Sequence, residues 1–474
     1  MSQGLFATLQ QLLGAAHVQS SEEAAPYLTD KQGRYVGQVI AAVHPANTEE
    51  VAAVVRACVA NDTPIVVQGG NTGLMGGATP DASGRAVLLL LNRLNRVRYV
   101  DTDNDTLTVE AGCILQTVQD VARNAGRLFP LSLGAEGSCT IGGNLGTNAG
   151  GTAVLRYGNT RELTLGLEVV TAQGEIWNGL RGLRKDNTGY DLRDLFIGSE
   201  GTLGIITAAT LKLFPLPNAQ ATALLAFDSL AQAVQFLSHA RAGFGASLTA
   251  FELLSADCLA LLREQFPQGA QPFLSADQPW FALLELSDNH SESHAREAFE
   301  EVLGEAFENS LLANALIAES LAQSEALWLL REHMSEAQKR AGRNMKHDIS
   351  VPISRIVDFV ADTDALLQAK FPGVRHFTFG HLGDGNLHYN VAHPLGSTVD
   401  AHMANYAALS LLVHDSAHAH GGSISAEHGI GQRKLDLLER YKSPVELDLM
   451  RRIKQALDPK NLLNPGKVIE AVQS

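Results

Sequence analysis

Pro64-Ile-Val-Val-Gln-Gly-Gly-Asn-Thr-Gly-Leu-Met-Gly-Gly77 decides the fold of this chain. The opening residues form a short apolar run of strand type, and a loop crowded with glycine follows. Glycine is used where a backbone must adopt positive φ or come close to a ligand. Successive backbone N–H groups in such a loop make a concave anion site. A second glycine-rich stretch runs from Leu133 to Gly151: Leu-Gly-Ala-Glu-Gly-Ser-Cys-Thr-Ile-Gly-Gly-Asn-Leu-Gly-Thr-Asn-Ala-Gly-Gly. Two such stretches point to a large phosphate-bearing ligand touched twice. No GxGxxG and no GxxxxGK[ST] occurs, so the Rossmann fingerprint and the P-loop are excluded.

Outward from the loop, the patterns predict a helix over 5–13 and a capping box at Asn47 and Glu50 opening a helix to 61. Strands are expected at 86–91 and 106–110, and a helix at 114–125 capped by Gly126. A hairpin of 163–171 and 175–177 and a strand at 207–214 follow. Pro215-Leu-Pro217 marks a boundary. Beyond it, the expected elements are strands at 222–227 and 280–286 and helices at 229–241, 295–307, 312–341 and 355–369. A hairpin centred on Asp384-Gly385 and a helix over 399–420, ended by Gly421-Gly422, complete this part.

The 474 residues suit roughly three domain-sized units. With 45% hydrophobic residues the chain can bury large cores, and its net charge of −15 argues against general binding of nucleic acid or anionic membrane. Cys58, Cys113, Cys139 and Cys258 are scattered, with no CxxC pair, which suits a reducing compartment. The residues from Met1 to Phe6 carry no signal-peptide pattern, and no apolar run approaches the roughly 20 residues that span a bilayer. A cytoplasmic protein without a transmembrane segment is expected.

Eleven of the 16 histidines fall between 333 and 428. His402, His414, His418 and His420 read as the solvated face of one helix. His381-Leu-Gly-Asp-Gly-Asn-Leu-His388 is different. Asp-Gly is a strong two-residue hairpin signal, and a tight turn there would set His381 directly opposite His388, with Cβ atoms roughly 4.5–5.5 Å apart. Such a pair can chelate a metal, and Asn390 lies on the same strand face. Ser425-Ala-Glu427-His428-Gly-Ile-Gly431 offers a carboxylate as a third ligand and a neighbouring imidazole. Two histidines with one carboxylate suit zinc first, or manganese or iron.

The ordered motifs Pro64–Leu74, Ile141-Gly-Gly-Asn144 and Gly198-Ser-Glu-Gly-Thr-Leu-Gly-Ile-Ile206 resemble the FAD domain of the vanillyl-alcohol oxidase type over about 37–215. Residues 216–470, with Leu457-Asp-Pro-Lys-Asn-Leu-Leu-Asn-Pro-Gly466, resemble the FAD-linked oxidase C-terminal domain of D-2-hydroxy acid dehydrogenases. The resemblance implies an α+β protein: a two-subdomain FAD-binding domain plus an α+β substrate domain with an antiparallel sheet. The implied divisions are an N-terminal helical segment 1–36, the FAD domain 37–217, the substrate and metal domain 218–455, and a segment 456–474 returning to the FAD domain.

Carried over residue by residue, the resemblance assigns FAD contacts to Gly69, Gly70, Asn71, Thr72, Gly73 and Leu74 in the first loop. It assigns others to Gly134, Gly137, Ser138, Thr140, Gly143, Asn144, Asn148 and Gly150 in the second, and to Glu200, Gly201, Gly204, Ile205, Ile206 and Asn464. Some relatives bond a histidine after Gly-Gly covalently to the flavin; Asn71 stands there, so non-covalent FAD is implied. His381, His388 and Glu427 match metal ligands, and His428 matches the catalytic base and a substrate contact. Arg331, Ser335, Lys346 and Asn390 match substrate-binding positions, with Ser335 standing where threonine is expected in hydroxyglutarate enzymes. The implied reaction is oxidation of D-2-hydroxyglutarate to 2-oxoglutarate, with a D-lactate or broad-range activity as the alternative. Electron-transfer flavoprotein, a quinone or a cytochrome would accept the electrons, and a homodimer is compatible with the chain.

Overall fold

Ile65–Gln68, the strand that launches the first glycine loop, is fully inside a four-stranded sheet only because a distant segment closes its edge. The sheet order is Val18–Gln19, Val39–Val43, Ala86–Leu90, Ile65–Gln68, with the last three parallel. On the open side of Ile65–Gln68, the Ile65 N–H donates to Leu462 O (2.7 Å) and the Asn464 N–H to Ile65 O (2.8 Å). The Val67 N–H donates to Asn464 Oδ1 (3.1 Å), so one side chain continues the ladder. The computed structural model describes residues 2–267 and 277–470.

The chain divides into two units, each with its own core. The first comprises Met1–Gly150, Gly158–Leu216 and Glu427–Ser474; the second comprises Gly151–Tyr157 and Pro217–Ala426. The sequence suggests a return to the first unit at 456, whereas it begins at Glu427. The reason is local pairing: Gln432 N–H donates to Met75 O (3.1 Å) and Val468 N–H to Gly431 O (3.0 Å).

In the first unit the four-stranded sheet is joined by a five-stranded antiparallel sheet, ordered Val97–Asp101, Thr106–Glu110, Ile205–Lys212, Thr164–Val170, Ile176–Gly179. The helix Thr48–Ala60 starts where the capping residues place it: Asn47 accepts from the Glu50 N–H (2.8 Å). Glu50 reaches back to the Ala46 N–H (2.7 Å), one residue before the cap. Part of the second glycine stretch is a short helix, Ile141–Thr147, rather than open loop.

The second unit holds a seven-stranded antiparallel sheet. Its order is Asn314–Ile317, Ala219–Phe227, Trp280–Asp288, Leu248–Ser255, Arg375–His381, Asn386–Ala392, Asp348–Ser350. Alternation sends Phe251, Leu253 and Tyr389 into one apolar layer, under helices such as Leu230–Phe244 and Ile356–Lys370. It sends Leu254, Phe281 and Phe379 into the other, under Ala256–Gln265 and Leu321–Glu332.

Three expectations change here. The helix expected over 312–341 is a strand, Asn314–Ile317, followed by helices Leu321–Glu332 and Met334–Arg340, because the sheet edge at Ala223–Ala226 takes the first segment as a partner. The helix expected over 399–420 is two, Val399–Met403 and Tyr406–Ala419. With that break, His402 and His414 are buried rather than solvated; His402 Nε2 lies 3.2 Å from Val391 O, and the His414 ring stands edge-on to His347.

The four cysteines are free and buried. Among the described residues no helix is long and apolar enough to cross a membrane. In the first unit, buried Lys454 donates to Thr202 O (2.8 Å), Leu463 O (2.8 Å) and Asp458 Oδ2 (2.6 Å), which ties the C-terminal segment to the Gly198–Ile206 motif. Removing one partner of such a buried pair leaves an uncompensated charge. Lys454→Met should therefore cost the first unit about 3–5 kcal/mol, read from urea unfolding followed by flavin fluorescence. An unchanged midpoint would contradict this account.

Candidate functional site

The glycine loops of the first unit meet backbone to backbone. A Cβ built on Gly69 would stand 2.3 Å from Thr140 Oγ1, and one on Gly70 only 2.1 Å from Ser138 O, so neither position tolerates a side chain without movement. Between the loops lies a cavity of about 150 Å³. Gly69 to Gly73, Thr140, Gly143 and Asn144, then Glu200, Gly201, Gly204, Ile205, Ile206 and Asn464 line it. Of the expected cofactor contacts, Leu74, Gly134, Gly137, Ser138, Asn148 and Gly150 lie outside this lining. Asn148 instead braces the backbone, its Oδ1 accepting from the Arg161 N–H (2.9 Å). The lining also includes Val67, Met75, Cys139 and Gly142, which lie within the two quoted glycine stretches but are not among the expected contacts.

Does this cavity fit FAD? Thr140 Oγ1 and Asn144 Nδ2 are buried in it without hydrogen-bond partners, as polar atoms awaiting a ligand would be. The short helix Ile141–Thr147 begins in the lining, and a helix N-terminus favours anionic groups. The residues fit a phosphate-bearing dinucleotide. Asn71, held at φ 51° with its Nδ2 donating to Thr29 O (2.9 Å), occupies the position where covalent relatives place histidine.

His428 lines the same cavity. Its placement traces to Glu200, whose carboxylate accepts from the Ile430 N–H (2.7 Å) and the Gly431 N–H (2.9 Å). Burial pushes the Glu200 carboxyl pKa up, against the opposing pull of those two N–H groups and of Lys467 and Lys434. Asn464 Nδ2 donates to Glu200 O (2.6 Å), so the C-terminal motif and the Gly198–Ile206 motif hold one another. Glu427 Oε1 and His428 Nε2 are 3.8 Å apart, both side chains being about one quarter exposed.

In the second unit the candidate residues share one face of the seven-stranded sheet. Glu252 stands opposite His381, Phe379 opposite His388, and His388 opposite Asp348. The expected His381–His388 pairing is thus displaced by two residues. The connection is longer than a two-residue turn: Asp384 and Gly385 N–H groups both donate to His381 O (3.1 and 3.2 Å), and Asp384 Oδ1 accepts from the Asn386 N–H (3.0 Å). The two histidines are diagonal neighbours, with ring centroids 5.6 Å apart.

Glu252, only 1% exposed, is the centre of this face. His381 Nδ1 lies 2.6 Å from its Oε1, and Arg331 Nε donates to its Oε2 (2.6 Å). Burial alone would raise the Glu252 pKa, but the charges and hydrogen bonds of His381 and Arg331 prevail and bring it down to about 2. The Arg331 guanidinium also stacks over the Phe379 ring, 5.1 Å from its centroid.

Asp348 and His388 each have a metal-ligating atom within 4.8 Å of the other. Sequence reading misses Asp348, although it stands two residues after Lys346. The donor chemistry of His388 and Asp348 fits a divalent metal, since imidazole with carboxylate suits zinc, manganese or iron; His381, its ring 5.6 Å from that of His388, is not among the atoms within 4.8 Å. The remaining substrate candidates differ in setting. Asn390 is buried, its Oδ1 accepting from the His347 N–H (3.1 Å) and its Nδ2 donating to Gln338 Oε1 (2.8 Å). Ser335 and Lys346 are exposed.

A double-loop dinucleotide cavity in one unit, and a sheet of histidine and carboxylate donors in the other, define a flavin-dependent oxidoreductase of the vanillyl-alcohol oxidase fold. The chain belongs to the FAD-linked oxidase family: residues 39–179 match its FAD binding domain, and residues 216–468 match the C-terminal domain of FAD linked oxidases. It is 38% identical over 470 residues to the mitochondrial D-2-hydroxyglutarate dehydrogenase of Bos taurus, covering 99% of this chain and 84% of that protein. It is 40% identical over 466 residues to a D-2-hydroxyglutarate dehydrogenase of Xanthomonas citri pv. viticola, covering 98% and 96%. Among solved structures it is similar to p-cresol methylhydroxylase, with TM-score 0.77, 19% identity, and coverage of 99% and 97%. Alkyldihydroxyacetonephosphate synthase is similar too, with TM-score 0.76, 17% identity, and coverage of 98% and 86%.

The loop packing makes a direct prediction. Gly70→Ala should purify with little flavin, whereas Gly134→Ala, where an added Cβ meets nothing within 4 Å, should stay yellow. Equal flavin content in the two variants, measured by absorbance, would contradict the backbone contact described here.

Proposed function

We propose that this oxidoreductase converts D-2-hydroxyglutarate to 2-oxoglutarate, with non-covalent FAD, a divalent metal held by His381, His388 and Glu427, and His428 as the base. The observation that carries the proposal is that His428 lines the dinucleotide cavity itself. When bound, FAD accepts the Cα hydride and the metal, zinc in the first instance, stabilises negative charge on the 2-hydroxyl oxygen.

His428 takes the hydroxyl proton onto an imidazole nitrogen, a role that suits a neutral imidazole near pH 7. Arg331 grips a carboxylate of the substrate through a planar fork, and Lys346 adds a compact positive charge. Two cations beyond the metal favour a dicarboxylate over lactate. Ser335 contributes a hydroxyl, and Asn390 fixes the floor of the substrate site. The relatives named D-2-hydroxyglutarate dehydrogenase, similar over nearly the whole chain, support this choice of acid. Reoxidation falls to electron-transfer flavoprotein, a quinone or a cytochrome rather than dioxygen.

Turnover of D-2-hydroxyglutarate, D-malate and D-lactate with an artificial acceptor tests the substrate. The hydroxyglutarate should be fastest; faster D-lactate sinks that choice. His428→Ala should lose about 10²–10⁴-fold in kcat while keeping its flavin. Near-normal turnover would remove His428 as base. Chelation should abolish turnover and leave FAD bound, whereas full activity at zero metal content would remove the metal.

A further inference from the structure

We propose that Glu252 is a positioning residue whose two carboxylate oxygens align His381 and Arg331 together, setting the metal ligand and the substrate-carboxylate clamp at one fixed spacing. The proposal rests on the roles given above to those two side chains.

Glu252 stands on the central strand of the sheet. It sits within Leu248–Ser255, a strand paired on one side with Trp280–Asp288 and on the other with Arg375–His381. His381 is its direct cross-strand neighbour, and Oε1 lies 2.6 Å from His381 Nδ1. An ionised carboxylate can only accept, so Nδ1 carries the proton and ligation runs through Nε2. A carboxylate behind a histidine in this way fixes the ring's tautomer and orientation for a metal.

The second oxygen serves Arg331. That residue lies in the last turn of Leu321–Glu332, and only its Nε is bonded to Glu252, at 2.6 Å. Phe379 supports the guanidinium plane. Held by Nε and by its face, the guanidinium keeps its two terminal nitrogens for a bidentate contact with a carboxylate.

The surroundings argue against a purely stabilising ion pair. Leu254, Phe281, Leu283, Leu327 and Phe379 form the apolar layer around Glu252. Stability alone would be served as well by a hydrophobic residue, since buried ion pairs often contribute no more than well-packed apolar replacements. Glu252 instead joins two side chains that the sequence separates widely and that bear different roles.

The test uses the flavin-loaded full chain with zinc alone as the metal probe, titrated against a competing chelator in the absence of substrate. Glu252→Gln keeps the shape but offers only one accepting oxygen, so one partner must meet an amide NH₂. Zinc affinity should fall about 10–100-fold, and KM for the hydroxy acid should rise more than kcat falls. Arg331→Met should raise KM and leave zinc affinity unchanged; His381→Ala should lose zinc. Wild-type zinc affinity and KM in E252Q, with the two comparison variants behaving as stated, would overturn the positioning role while leaving theirs intact. Wild-type behaviour of both comparison variants would instead remove their roles and this proposal with them. Glu252→Asp keeps the charge on a shorter arm and serves if E252Q does not accumulate. It should show the same two losses to a smaller degree, and wild-type values in it would equally overturn the proposal.

Discussion

The Glu200 carboxylate, partly buried and bonded to two consecutive N–H groups, is the interaction on which the first unit's arrangement depends. It stands in the Gly198–Ile206 motif, at positive φ (50°), and its partners belong to a segment more than two hundred residues later in the chain. A carboxylate drawn partly out of water is costly unless satisfied, and bringing Ile430 and Gly431 against this one satisfies it. Doing so delivers His428 to the dinucleotide cavity. Gly429 is needed for the approach, because a Cβ there would stand 2.5 Å from Glu200 Oε1. His428 is thus placed by a residue belonging to the Gly198–Ile206 motif.

The second unit solves a different problem. Its sheet is covered on both faces, yet one face carries a polar row through an apolar layer. Strand register alone puts Glu252, His381, His388 and Asp348 on that face, since neighbouring strands present opposite residues to the same side. The neighbouring histidine, His347, points to the other side and is absorbed by Tyr389 O and Ser410 Oγ. The histidines here therefore divide between the two faces of the sheet: His347 is bonded within one, while His381 and His388 stand beside Glu252 and Asp348 on the other.

What the sequence makes legible follows from locality. Glycine loops, the Asn47 cap and the strand-and-turn patterns of the first unit depend on neighbours a few residues apart, and they stand where the residues indicate. The hairpin register does not, because Asp384 uses its side chain to cap Asn386 and thereby lengthens the connection; an Asp-Gly pair does not announce which turn it will make. The strand Asn314–Ile317 reads as helix because its identity comes from a free sheet edge, which no local pattern records. Glu252 and Asp348 escape notice for the same reason: each acquires meaning from the residue across a strand ladder. Arg331 is among the positions carried over from the resemblance, but the carboxylate that accepts from its Nε is not.

The edge pairing of Ile65–Gln68 also has a consequence for biosynthesis. Residues 462–464 are the partners of that strand, so on the ribosome its outer edge stays unmatched until almost four hundred further residues have been made. At about 5–20 residues per second, this is a wait of roughly 20 to 80 seconds. The second unit, made of Gly151–Tyr157 and the contiguous Pro217–Ala426, has all its described strands before then. The nascent chain can thus complete its later unit first, while the flavin-binding unit carries an open parallel edge, a known invitation to wrong partners, through most of translation.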